Sequence, residues 1–157
     1  LRRARETGRK PPGSPTRQRT MANISRSVAT LRVAGDALDP EEITRLLGCS
    51  PTRAYRKGDA IAAGSGTRIA TFGHWQLHAK DAEPEDVNRQ VAELLAGLTQ
   101  DLQVWSLIAR QYRLDLFCGL FMREHNEGVS LSPATLHSLG QRSIKLDLDI
   151  YAADVDR

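Results

Sequence analysis

The sequence predicts an α+β fold: a two-layer sandwich with a mainly antiparallel sheet of four or five strands and helices on one face. Strand-like segments alternate between apolar and polar residues, so each would bury one face only. Helix-like segments with an apolar stripe lie between them. With 157 residues, of which 40% are hydrophobic and 26% charged, the chain is long enough for one packed core.

The amino-terminal segment differs in composition from the rest. Residues 1–20 contain seven basic residues and one acidic residue, whereas the remaining residues contain 15 basic and 18 acidic ones. Low hydrophobicity and high charge predict a disordered basic tail over residues 1–20 and a single α+β domain over residues 21–157. The tail has two interpretations: a gene start assigned upstream of Met21, or an arm whose arginines bind nucleic acid.

The first elements follow from local chemistry. A strand is predicted over residues 27–34, which alternate and are rich in β-branched side chains. A short helix follows, because Asp39 is a typical N-cap, Pro40 suits the first helical position and Gly48 suits the position after the last turn.

The middle of the chain predicts loops and one long strand. Residues 49–59 are expected to form a loop with a short strand at 53–56, and residues 60–66 a flexible, glycine-rich connection. Alternation then predicts a strand over residues 67–79. Its two faces would carry Ile69, Thr71, Trp75 and Leu77 on one side and Phe72, His74 and His78 on the other.

A long helical region is expected to begin at Pro84, and its apolar period continues to Ile108 with Gly97 as a break. The remaining elements are a strand over residues 112–123, a short helix from Ser132 to Gly140 and a last strand over residues 145–151. The order is β-α-β, a long helix and a second β-α-β, which favours a ferredoxin-like topology. A doubly wound sheet is disfavoured because its central strands would be continuously apolar.

A basic and aromatic loop is the first candidate binding site. Guanidinium and ammonium groups beside an aromatic ring suit an anion, a phosphate or a stacked base. The candidate residues are Arg53, Tyr55, Arg56, Lys57, Asp59 and Trp75. In a purely structural alternative, Trp75 is a core residue and residues 57–59 form a turn.

An acidic pair is the second candidate. Asp147 and Asp149 share the outer face of the last strand, about 6.6 Å apart at the usual strand rise. Paired carboxylates can carry out acid–base chemistry, which here would require Lys57 or His74 to face them across a cleft. A solvated polar strand face has the same pattern.

Other chemistry is not indicated. His74 and His78 would stand about 13 Å apart on a strand, too far for one metal ion. Cys118 is expected in the core, and Cys49 follows a helix carboxyl end that disfavours a thiolate. We therefore predict no catalytic residue, no metal and no cofactor.

The sequence favours a cytoplasmic protein outside the membrane. It has only two cysteines, and no apolar run approaches the roughly 20 residues of a membrane helix.

Several segments, in this order, resemble the bacterial family catalogued as domain of unknown function 4279. They are residues 39–48, 50–59, 73–77, 131–133 and 146–151. The resemblance extends from Val28 to Tyr151 and implies a compact α+β domain, without an established reaction, cofactor or catalytic residue. The family pattern that it implies centres on the positions matched here by Pro51, Thr52, Lys57, Gly58, Asp59 and Trp75.

The function favoured is a non-catalytic binding module that uses the loop or the open sheet face. Its partner would be a small anion, an acidic peptide or another protein. The sheet face, with Phe72, Phe117 and Phe121, would also suit a homodimer. The alternatives are a small enzyme built on Asp147 and Asp149, or nucleic-acid binding through the basic tail.

Overall fold

The computed structural model describes residues 22–153, so the predictions made for residues 1–20 lie outside the described part of the chain. The described part contains four helices and nine strands. The helices are α1 (Pro40–Leu47), α2 (Val87–Ala96), α3 (Leu102–Gln111) and α4 (Pro133–Gly140). The strands are β1 (Ala22–Asn23), β2 (Arg26–Gly35), β3 (Arg53–Tyr55), β4 (Ala60–Ala63), β5 (Gly66–Ile69), β6 (Gly73–His78), β7 (Arg113–Phe121), β8 (Glu127–Gly128) and β9 (Lys145–Tyr151).

Five strands form the main sheet in the order β3-β6-β2-β7-β9. The pairs β3–β6, β6–β2 and β2–β7 are antiparallel, and only β7–β9 is parallel. Two small sheets accompany it, the hairpin β4–β5 and the parallel pair β1–β8. The predicted α+β class with a mainly antiparallel sheet is therefore confirmed.

Four neighbouring strands of the main sheet, in the spatial order β3-β6-β2-β7, are compatible with the favoured ferredoxin-like topology. In chain order, β2, β3, β6 and β7 form a β-α-β-β-α-β unit in which β6 lies between β2 and β3. Strand β9 extends that unit, since it follows α4 and pairs in parallel with β7. The hairpin β4–β5 also lies outside the unit.

The two faces of the main sheet differ sharply. One face carries the apolar strand residues and packs against the helices in a single core cluster. Its fully buried side chains include Ala29, Leu31, Val33, Trp75, Leu116, Cys118 and Leu120. We call the opposite face, which the helices do not cover, the open face. Alternation along each strand puts charged, histidine and aromatic side chains there.

Helix α1 has the ends that the sequence predicts. The side chain of Asp39 accepts a hydrogen bond from the Glu41 N–H, and Pro40 occupies the first turn. Gly48 closes the helix with φ of 77°, a left-handed conformation in which glycine avoids the clash of a Cβ atom. The chain therefore turns sharply from α1 toward β3.

The strand expected over residues 67–79 is interrupted. Residues 66–69 pair with residues 60–63 in the hairpin β4–β5, and only residues 73–78 join the main sheet as β6. Ile69, which we expected on the face of Trp75, is 61% exposed. Alternation cannot reveal such a break, because the two strands keep the same period on either side of it. The expected flexible connection at residues 60–66 is the first half of this hairpin.

The long helical region divides at Gly97, as predicted, into α2 and α3. Helix α2 begins at Val87, three residues later than expected, because Asp86 is the residue that caps it by accepting a hydrogen bond from the Arg89 N–H. Within residues 22–153, no helix has the length and apolar character required to cross a membrane.

Candidate functional site

The positive charges of Arg56 and Lys57 in the predicted basic loop are paired with nearby carboxylates. Arg56 forms ion pairs with Asp39 (2.8 Å) and Glu41 at the start of α1. The Lys57 ammonium lies 3.1 Å from the carboxylate of Asp36. These pairs are solvent-exposed and individually weak, but they leave little uncompensated positive charge for an anion.

Asp59 shapes this loop. Its carboxylate accepts a hydrogen bond from the Arg56 N–H (2.7 Å), and its own N–H donates to the Arg56 carbonyl oxygen. Gly58 between them has φ of 93°, which non-glycine residues rarely adopt. Residues 57–59 therefore form the tight turn of the structural alternative.

Trp75 is separated from the other predicted loop residues. Its side chain is completely buried on the helix-covered face, and its indole N–H donates to the Thr44 hydroxyl of α1 (3.1 Å). Arg53 and Tyr55 lie on the open face instead, with the Arg53 guanidinium 5.5 Å from the centre of the Tyr55 ring. The backbone of the sheet therefore separates Trp75 from Arg53 and Tyr55.

The acidic pair does lie on the open face, at its β9 edge. Asp147 is engaged by Lys145 (2.6 Å) and Arg32 (3.5 Å). Asp149 accepts a hydrogen bond from the Tyr151 hydroxyl (2.8 Å), which raises the pKa of Tyr151. Lys57, a partner that acid–base chemistry would require here, is paired with Asp36 instead.

Strand register brings together residues that are distant in the sequence. Ala34 on the central strand β2 is paired with His74 of β6 on one side and Arg113 of β7 on the other, and His74 is paired with Tyr55 of β3. The side chain of Ala34 is only a methyl group. The larger side chains of His74 and Arg113 project beyond it on either side and leave a depression over Ala34. A cavity of about 250 Å³, which we call the cleft, opens there. It is lined by Arg32, Ala34, Phe72, His74, Arg113 and Asp115.

The two arginines of the cleft have different surroundings. Arg32 is held by Asp115 (2.6 Å) and Asp147 (3.5 Å), and its guanidinium lies over the Phe117 ring. Arg113 lies 5.3 Å from the centre of the Phe72 ring, within cation–π range. Among residues 22–153, no carboxylate lies within ion-pair distance of Arg113. Within the described part of the chain, Arg113 is therefore the cation of the cleft that has no carboxylate partner.

His74 forms one wall of the cleft. Its ring stacks on Tyr55 with centroids 5.2 Å apart and meets Phe72 edge-on at 6.2 Å. Nε2 donates to Gln76 Oε1 (2.8 Å), because an amide oxygen can only accept. Nδ1 is buried without a hydrogen-bond partner among the described residues.

The environment of His74 favours the neutral form of its imidazole. Burial lowers the pKa of His74 from its ordinary value of 6.5, and the positive charges of Arg32 and Arg53 act in the same direction. If Nδ1 were protonated, its N–H would find no acceptor among the described residues. The cleft therefore combines aromatic walls with a guanidinium that has no carboxylate partner in the described part of the chain.

Comparison with known proteins gives one result. The family model described as "Domain of unknown function (DUF4279)" matches residues 23–153. The chain belongs to the DUF4279 family. No curated protein and no solved structure matches it significantly.

Two of the segments by which the chain resembles DUF4279, residues 50–59 and 73–77, make contacts that hold the sheet together. The Thr52 hydroxyl accepts a hydrogen bond from the His78 N–H (3.0 Å), and the Thr52 N–H donates to the Gln76 carbonyl oxygen (2.8 Å). At Gly73, an added Cβ would lie 2.7 Å from the Leu38 carbonyl oxygen, so only glycine lets β6 approach so closely. These contacts fix β3 and β6, and thereby position Tyr55 and His74.

The cysteines and the remaining metal-ligand types do not assemble a second site. Cys118 is fully buried in this DUF4279 chain, and burial raises the pKa of its thiol to about 12. Cys49 is half-buried and free. Across residues 22–153, no three histidine, cysteine, aspartate or glutamate side chains lie where they could hold a metal ion.

Sequence reasoning placed His74 and Phe72 correctly on the polar face but missed Arg32, Ala34 and Arg113 as site residues. Arg32 offered a local signal, since it is the only charged residue between Ser27 and Gly35. Arg113 offered no such signal. It lies near His74 only because β6 and β7 both pair with β2.

Proposed function

We propose that this protein is a non-catalytic binding module and that its ligand site is the cleft on the open face. The observation that carries the proposal is the guanidinium of Arg113, which has no carboxylate partner among residues 22–153 and lies beside the Phe72 and His74 rings at the cavity over Ala34. A cation with aromatic neighbours in a concave site is suited to bind an anionic group.

The cleft is favoured over the basic loop because of charge. Arg56 and Lys57 already have acidic partners, so an anion would have to displace them. The cleft is lined by two arginines and one aspartate, which leaves one net positive charge while His74 is neutral.

The open face is less suited to a broad apolar interface than its aromatic content indicates. A guanidinium covers the Phe117 ring, and Phe121 lies between Arg26 and the stacked ring of Tyr151. Little bare apolar surface is left for a protein partner or a second copy. The homodimer, the carboxylate enzyme and the nucleic-acid-binding tail stay predictions, as does the cytoplasmic location.

The test is a ligand screen by protein NMR on the full chain, with small anions, nucleotides and acidic peptides. Ligands should shift the backbone amides of Ala34, His74 and Arg113. The same shifts should be lost in Arg113→Gln. They should persist in Arg110→Gln, which removes an exposed arginine of α3 on the other layer, and in the double variant Arg56→Ala/Lys57→Ala.

Two results would contradict the proposal. One is a ligand lost in the Arg56→Ala/Lys57→Ala variant but retained in Arg113→Gln, which would place the site on the loop. The other is a screen in which no ligand shifts any amide of the open face.

A further inference from the structure

The size of the cleft restricts its ligand. Pockets for drug-sized molecules measure roughly 300–1,000 Å³. The cleft measures about 250 Å³. It therefore has room for a single ring with one small substituent, and a nucleotide or a folded peptide would extend well beyond it.

The charges in the cleft favour a monoanion. One guanidinium, that of Arg113, lacks a carboxylate partner among the described residues, whereas Arg32 is occupied by Asp115 and Asp147. The carboxylate of Asp115 lines the same cavity. A dianion such as a phosphate monoester would bring a second negative charge near Asp115 without a second free cation to compensate it.

The walls of the cleft favour a flat group. The His74 ring is fixed by stacking on Tyr55 and by its hydrogen bond to Gln76, and it meets Phe72 edge-on. Rigid aromatic walls interact most favourably with another aromatic ring, which can stack on them or contact them edge-to-face. A planar guanidinium also matches a carboxylate with two parallel hydrogen bonds.

We propose that the cleft binds a small aromatic monocarboxylate, with the carboxylate on Arg113 and the ring beside Phe72 and His74. This inference rests on the proposed function, because it names the ligand class of the same site. It adds that both the single charge and the flat ring are required.

The test compares four probes by NMR titration of the full chain. Benzoate has the ring and one negative charge, cyclohexanecarboxylate has the charge without a flat ring, benzamide has the ring without the charge, and phenyl phosphate carries close to two charges at pH 7.5. Benzoate should bind at least about tenfold more tightly than each of the others, which corresponds to one interaction of moderate strength.

Variants locate the two interactions. Arg113→Gln should weaken benzoate binding about 10- to 100-fold, because it removes a charge-assisted pair. Arg113→Lys should give an intermediate loss, since the charge remains without the fork of donors. Phe72→Leu should reduce the preference for benzoate over cyclohexanecarboxylate, and Arg110→Gln should change neither affinity.

The outcomes separate this inference from the proposed function. If cyclohexanecarboxylate, benzamide or phenyl phosphate binds as tightly as benzoate and still shifts the open-face amides, the ligand class is wrong and the binding site stands. If none of the four probes shifts those amides but a ligand of the wider screen does, the ligand class is again wrong. If neither the probes nor the screen shifts them, both proposals fail.

Discussion

A methyl group separates the imidazole of His74 from the guanidinium of Arg113 across the central strand. Ala34 is nearly buried there, at 7% exposure, because its neighbours on β6 and β7 rise above it. A longer side chain at this position would fill the cleft without entering the core, since position 34 faces away from the helices. The shape of the site therefore depends on a residue with no chemistry of its own.

His74 should make the stability of the protein depend on pH. Its pKa is lower in the folded protein than the 6.5 of an unperturbed histidine. Below about pH 6.5 the unfolded chain therefore binds more protons, and the free energy of unfolding falls as the pH decreases toward the folded pKa. Above that window both states are neutral at this residue, and the effect disappears.

Urea unfolding measured from pH 8 to pH 5.5 tests this prediction. His74→Gln should flatten the loss of stability on the acidic side, and His137→Gln, which changes an exposed histidine of α4, is the matched control. Equal slopes in the wild type and His74→Gln would show that the imidazole accepts its proton in the folded protein as readily as in the unfolded chain.

At the level of elements, a buried glutamine ties α2 to the sheet. Gln90 is fully buried and donates to the carbonyl oxygens of Ser27 (3.1 Å) and Lys80 (2.9 Å). It also accepts a hydrogen bond from the Ser27 hydroxyl (2.8 Å), which in turn accepts from the Asp86 N–H. One side chain thus joins the helix, the start of β2 and the segment that follows β6.

Gln90→Leu should lower the free energy of unfolding by about 2–4 kcal/mol, because it leaves buried polar groups without partners. Gln103→Leu is the matched control, since Gln103 is an exposed glutamine of α3 and should change stability by less than about 0.5 kcal/mol. Chemical denaturation measures both. A loss in Gln90→Leu no larger than in the control would mean that water satisfies the freed groups.

The sequence predicted some elements better than others for physical reasons. Caps are local, so Asp39, Gly48 and Ser132 marked the helix ends reliably. The hairpin β4–β5 was missed because its strands bury almost nothing apart from Ile61, and a weak apolar pattern does not predict a strand. The buried polar residues Gln90 and Arg142 were missed because only their tertiary partners distinguish them from solvent-exposed polar residues.

For the whole molecule, the two tryptophans report on different parts of one core. Trp75 packs on β6 near α1, and Trp105 belongs to α3, where its indole N–H donates to the Thr99 carbonyl oxygen (2.9 Å). Both side chains are completely buried in the same cluster. If this core unfolds as a unit, both should become exposed to water together.

Single-tryptophan variants test this expectation. In Trp75→Phe the fluorescence reports on Trp105, and in Trp105→Phe it reports on Trp75. For each variant the fluorescence midpoint in urea should coincide with the midpoint of its far-UV circular dichroism. If the fluorescence of Trp105 changes at a lower urea concentration than the circular dichroism, α3 unfolds separately and the single-core interpretation is wrong.

The position of β2 also determines how the chain must fold. Among the described residues, β2 is the first long strand in chain order, yet Leu31 at its centre pairs with Leu77 on one side and Leu116 on the other. The ribosome must therefore release the chain as far as β7 before β2 has both neighbours. Contacts between segments so far apart in sequence slow folding compared with helical bundles of similar size. Until then one edge of β2 has no partner strand, so the nascent chain is most prone to aggregate before β7 emerges.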